Sequence, residues 1–130
     1  MEDHKTLSGS KGYHSPVLLR EVLEYLDVES GGWYLDCTLG DGGHSLEILR
    51  YGGRVVGVDV DPKALERARK RLQGAGYSGQ FILIQGNFRE LRNLLLQMDL
   101  ADLKFRGILF DLGVSSLQLE DPERGFSFGK

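Results

Sequence analysis

Four short runs rich in β-branched and apolar residues, separated by segments of helical period, constrain this chain more than any other feature. The runs are "WYLDC" (33–37), "RVVGVDV" (54–60), "QFILIQG" (80–86) and "RGILFDLG" (106–113). Each is too short for a helix and is bounded by turn residues, which predicts a strand. Between them, "HSLEILR" carries Leu46, Ile48 and Leu49 inward, and "KALERARKRL" places Leu65, Ala68 and Leu72 on one face. Asp61-Pro62 is a helix start, an acidic N-cap followed by proline at the first position. A leucine-rich helix follows with Leu91, Leu94, Leu95 and Met98 inward, and an earlier one opens at Ser15-Pro16 and turns Leu18, Leu19, Val22, Leu23 and Leu26 to one side. Strands that alternate with helices require right-handed crossovers, hence a parallel sheet with helices on both faces, the start of a doubly wound α/β domain.

The ends of the chain bound this picture. The 130 residues suit one hydrophobic core. Residues 1–13, opening "MEDHKTLSGSKG", are polar, lack the apolar centre of a signal peptide and read as a disordered lead-in. After Gly113, "VSSLQLEDPERGFSFGK" shows neither strand nor helix period. A doubly wound nucleotide-binding sheet has about six strands, so four predict that residues 14–130 are the N-terminal part of a larger domain. No apolar run approaches the ~20 residues of a membrane span. The single cysteine, Cys37, excludes a disulfide framework and a multi-cysteine metal site, which fits a cytoplasmic setting, and it reads as a small buried residue. A net charge of −3 argues against a generally basic, nucleic-acid-coating surface without excluding a local patch. Lys63, Arg67, Arg69, Lys70 and Arg71 read as a solvated helix face.

The candidate site is the turn in "LDCTLGDGGHS" (35–45). In open α/β sheets ligands bind at the carboxyl ends of strands, near a topological switch point. Gly40, Gly42 and Gly43 permit close approach to the backbone, and His44 and Ser45 begin a helix whose free amides can hold a carboxylate or a phosphate. Asp59 comes 19 residues after Gly40, at the end of the second strand, where a carboxylate accepts hydrogen bonds from ribose hydroxyls. An adenosine-type cofactor follows. Charge separates the candidates: Asp36 and Asp41 flank the turn and Asp111 ends a neighbouring strand. A pyrophosphate beside an unpaired carboxylate costs about 4 kcal/mol at ~4 Å and an effective dielectric of 20, whereas a sulfonium and an ammonium are attracted. Ser45 also stands where the dinucleotide fingerprint has its third glycine or alanine. These residues favour S-adenosylmethionine over a nicotinamide dinucleotide.

The motifs "HSPVLLREVL", "LDCTLGDGGHS", "GVDVDPKAL", "GNF" and "GILFDLGVSSLQLEDPERGFSF" resemble the N-terminal part of the ribosomal RNA small-subunit methyltransferase H family, in order, from His14 to Phe128. The resemblance implies a Rossmann-like class I methyltransferase fold, S-adenosylmethionine as cofactor, no metal, and methylation of N4 of one cytidine in the decoding region of 16S rRNA. It carries cofactor contacts onto Gly42, Gly43, His44, Asp59, Phe88, Asp111 and Gln118, with Phe88 as a wall for adenine. Amino-methylases of nucleic acids commonly have an acid or asparagine, two prolines and an aromatic at the fourth strand end. Here "DLGV" stands there, so the acceptor for the amine proton is unassigned. Phe126 and Phe128 are candidates to receive an unstacked base and Arg124 a phosphate. Family members continue past "RGFSF" with a helical insert and further strands, so this chain alone is expected to be inactive. The alternative reading is a non-catalytic module that binds the cofactor or RNA.

Overall fold

Strand β2 (Arg54–Asp59) shows why the sheet forms where it does: after an exposed Arg54, Val55 to Val58 are all buried. A strand apolar on both faces belongs in the middle of a parallel sheet covered on both sides. The computed structural model describes residues 19–110 and the backbone of 113–116. Around β2 the chain runs α1 (Leu19–Leu26), β1 (Trp33–Asp36), α2 (Gly43–Arg50), β2, α3 (Pro62–Gly74), β3 (Phe81–Gln85), a 3-10 turn (Phe88–Glu90), α4 (Leu91–Gln97), β4 (Phe105–Phe110) and β5 (Gly113–Ser116). The strand order is β3-β2-β1-β4-β5. The chain lays down β1, β2 and β3 in one direction across the sheet and then returns to add β4 on the other side of β1. This reversal puts a topological switch point between β1 and β4, and the crevice it opens lies at their carboxyl ends.

Successive residues of each strand point to opposite faces, and two separate cores result. Tyr34, Val55 and Leu109 pack with Leu26 of α1, Leu46, Ile48 and Leu49 of α2 and Leu72 of α3. Leu35, Val56, Val58 and Ile108 pack with Leu91 and Leu95 of α4 on the other face. Trp33 pairs with Phe105 but Tyr34 with Gly107, so β4 carries an extra residue that brings Phe105 to the same side as Ile108. A third cluster, Leu39 with Leu65 and Ala68, pins the turn after β1 against α3. Gly57 makes room for it, because a Cβ there would lie 2.8 Å from Leu39 Cδ1 and 3.0 Å from Leu83 Cδ2.

Three expectations change. The segment after Gly113 contains a strand: β5 pairs antiparallel with β4, Phe110 opposite Gly113 and Gly107 opposite Ser116. Four residues are too few to show a period, and a hairpin to the preceding strand needs only two connecting residues. The fourth strand accordingly ends at Phe110 rather than at Gly113. Met98 is exposed, because α4 ends at Gln97 and Asp99, at φ 61, turns the chain away. The lead-in, the Ser15-Pro16 helix start and Leu18 lie outside the described residues, and among those residues no helix is long and apolar enough to cross a membrane.

Replacing Gly57 by valine is expected to lower the unfolding free energy by about 1–3 kcal/mol through overpacking against Leu39 and Leu83. The urea midpoint measures this, and a variant as stable as the parent would show that Leu39 does not need the space.

Candidate functional site

Asp36, the last residue of β1, is fully buried and builds the turn rather than facing a ligand. Its Oδ1 accepts from the Thr38 amide at 2.9 Å and the Thr38 hydroxyl at 2.7 Å. Its Oδ2 accepts from the Ser45 hydroxyl at 2.6 Å. One carboxylate thus ties the start of the loop to the first turn of α2, nine residues on, with both oxygens satisfied. The Cys37 amide donates to Leu109 O at 2.9 Å, which holds the loop against β4, and Cys37 is half-buried rather than enclosed.

The turn then folds back on β2. The Gly40 amide donates to Asp59 Oδ2 at 3.4 Å, so the glycine turn and the strand-end acid, widely separated in sequence, meet. Asp59 Oδ1 accepts from the Asp61 amide at 2.9 Å, and Asp61 in turn caps α3 by accepting from the Lys63 amide at 2.9 Å. Gly42, at φ 89, is the N-cap of α2 and, as a glycine, brings no side chain of its own to cap that helix start. The first-turn residue His44 is half-buried there. The Gly43 amide donates to Asp41 Oδ1 at 3.2 Å.

Asp41 is not the free charge that the sequence suggests. Arg71 Nη1 lies 3.2 Å from its Oδ1 and donates to its main-chain oxygen at 3.3 Å. Arg71 therefore leaves the solvated face, on which Lys63, Arg67 and Lys70 are exposed and Arg69 stands a loose 4.0 Å from Glu66. With Asp36 internal and Asp41 paired, repulsion of phosphate by two bare carboxylates no longer separates the cofactors. A different feature takes its place. In a turn that binds phosphate the first amides of the helix point at the ligand, but here Asp41 already occupies the Gly43 amide.

Phe88 opens the 3-10 turn beyond β3, set by Asn87 Oδ1 accepting from the Arg89 amide at 2.8 Å. It is 46% exposed, and Val60, just past Asp59, is 58% exposed. Asp59 pairs with Gln85, so Val60, next after Asp59, and Phe88, three residues after Gln85, both follow the carboxyl ends of neighbouring strands. Val60 was not anticipated, and its signal was an apolar residue continuing past the strand-end acid. The Arg71 contact had no local signal, because Asp41 is 30 positions away. Asp111, Gln118, Arg124, Phe126 and Phe128 lie outside the described residues. Among the described residues no three His, Cys, Asp or Glu side chains gather to hold a metal ion.

The model of the MraW methylase family matches residues 11–130. A relative from Carboxydothermus hydrogenoformans named ribosomal RNA small subunit methyltransferase H is 49% identical over 116 residues, covering 88% of this chain and 36% of the relative. The chain therefore spans about a third of that relative's length. The C-terminal domain of precorrin-6Y C5,15-methyltransferase from Rhodobacter capsulatus superposes with a TM-score of 0.63 at 21% identity, covering 93% of this chain and 61% of that one. A SAM-dependent methyltransferase from Thiobacillus denitrificans, solved with S-adenosyl-L-homocysteine, gives 0.52 at 25% identity over 66% of this chain and 38% of that one. The fold is the Rossmann-like class I methyltransferase fold.

Ser45→Ala should lower stability by about 1.5–3 kcal/mol, because it removes a charge-assisted bond from a buried carboxylate. Denaturant unfolding measures it; a loss under about 0.5 kcal/mol would show that Asp36 does not anchor the helix start.

Proposed function

The chain belongs to the MraW methylase family, and on that basis we propose that it is the cofactor-holding part of an S-adenosylmethionine-dependent rRNA methyltransferase. We assign its acceptor as N4 of a cytidine in the decoding region of 16S rRNA, presented by the small subunit or its RNA in the cytoplasm. The observation that carries the cofactor assignment is the meeting of Asp59 with the Gly40 amide at the carboxyl edge of the sheet, beside β1.

The residues fit this group. Asp59 Oδ2 has one long bond, to Gly40, which leaves it acceptor capacity for ribose hydroxyls. Val60 and Phe88, both exposed past the ends of β2 and β3, offer apolar surface for a purine ring. The start of α2, at Gly42, Gly43 and His44, suits a single carboxylate at the amides that Asp41 does not hold. It suits two phosphates poorly, since Asp41 holds the Gly43 amide. Asp111 and Gln118 complete the proposed contacts.

Bound S-adenosylmethionine supplies an electrophilic methyl group on a sulfonium. The chain's part is positioning: Asp59 and the α2 turn hold the two ends of the cofactor, so that an acceptor amine can approach the methyl in line. The lone pair of the cytosine amine is delocalised into the ring, so a hydrogen-bond acceptor for its N–H would raise its nucleophilicity and later take the proton.

Asp59→Ala is expected to weaken binding of S-adenosylhomocysteine by about 10–100-fold, the loss of hydrogen bonds to a charged group. Calorimetric titration measures it, and unchanged affinity would remove Asp59 from the site. The natural-length protein, given radiolabelled S-adenosylmethionine and small subunits lacking the modification, should yield N4-methylcytidine on digestion. Label on any other atom, or none, would overturn the assigned acceptor.

A further inference from the structure

We infer that Arg71 is a positioning residue for the cofactor, acting through Asp41 on the glycine turn; the inference rests on the cofactor reading above. Two features of α3 meet the turn. Ala68, Arg71 and Leu72 lie at i, i+3 and i+4, on one side of the helix. Gly42 sits directly on that side, where a Cβ would lie 3.4 Å from Ala68 Cβ and 3.8 Å from Leu72 Cδ2. Beside this contact the Arg71 guanidinium holds Asp41 by both its carboxylate and its carbonyl oxygen, at 3.2 Å and 3.3 Å.

The Asp41 side chain is only 17% exposed, and its Oδ2 is buried with no hydrogen-bond partner. Arg71 is therefore the cation that lets a carboxylate remain in this position. Without it, a largely desolvated charge is uncompensated, and such charges are strongly unfavourable. Asp41 would have to swing toward water and release the Gly43 amide that its Oδ1 accepts. The same change would leave a bare negative charge beside the start of α2, where the cofactor's own carboxylate is to bind. Arg71 thus preserves both the shape of the turn and its tolerance for an anion, although it need not touch the ligand.

The test is calorimetric titration of the natural-length protein with S-adenosylhomocysteine, at a temperature where circular dichroism shows each variant folded. Arg71→Met should weaken binding about tenfold, within the range of indirect coupling. Arg71→Lys should stay within about threefold, since it keeps the charge but loses the fork geometry. The decisive variant is Asp41→Asn/Arg71→Met, which removes the stranded charge and should bind more tightly than Arg71→Met alone. In the cofactor-free protein, the Gly43 amide should exchange its hydrogen faster in Arg71→Met than in the parent. Parent-like binding by Arg71→Met, or a loss that Asp41→Asn does not relieve, overturns the inference and leaves the cofactor reading intact. A parent that does not bind at all removes that reading and this inference with it. Should Arg71→Met fail to fold, the double variant decides: affinity within about threefold of the parent supports the inference, and any greater loss overturns it.

Discussion

The buried carboxylate of Asp36 is the constraint on which the site depends. A charge with no solvent exposure survives only if its oxygens are satisfied, and here the donors are the Thr38 amide and hydroxyl and the Ser45 hydroxyl. Because those donors belong to the loop and to α2, satisfying the charge fixes where the helix begins relative to β1. The start of α2 is thereby held beside the carboxyl end of β1. Leu39, buried over Gly57, anchors the middle of the same loop by packing rather than by charge. A polar tie at each end and an apolar one between them turn a glycine-rich loop into a rigid surface.

This arrangement gives the carboxylates different duties. Asp36 is structural, Asp41 is neutralised by Arg71, and Asp59 keeps an oxygen close to the turn's backbone at Gly40. Among the described residues the acid left at the mouth is therefore Asp59 at the tip of β2, with Asp61 committed to capping α3. A diphosphate would find one donor fewer at this turn, because the Gly43 amide is already engaged by Asp41.

Most of the scaffold was legible in the sequence because its signals are local. The β-branched run of β2, the Asp61-Pro62 helix start and the inward faces of α2 and α3 are each encoded within a few residues, and they appear as expected. The meeting of the glycine turn with Asp59 was legible for the same reason, since a glycine turn after one strand and an acid ending the next mark the carboxyl edge of the sheet. What stayed hidden depends on contacts between distant segments. Asp36 looks like a rim charge until Ser45 is seen to bond it, and Arg71 looks like one more cation on a basic helix until α3 packs against the turn. Strand β5 was missed because its four residues are too few for a period, and its identity comes from pairing with β4.

The proposed function requires a specific docking of the cofactor on this class I methyltransferase fold. The most direct measurement is a crystal structure of the natural-length protein with S-adenosylhomocysteine. The account predicts ribose hydroxyls within hydrogen-bonding distance of Asp59, the purine between Val60 and Phe88, and the amino-acid end against Gly42 to His44. A ligand lying elsewhere, or an Asp59 carboxylate turned away from the ribose, would contradict it.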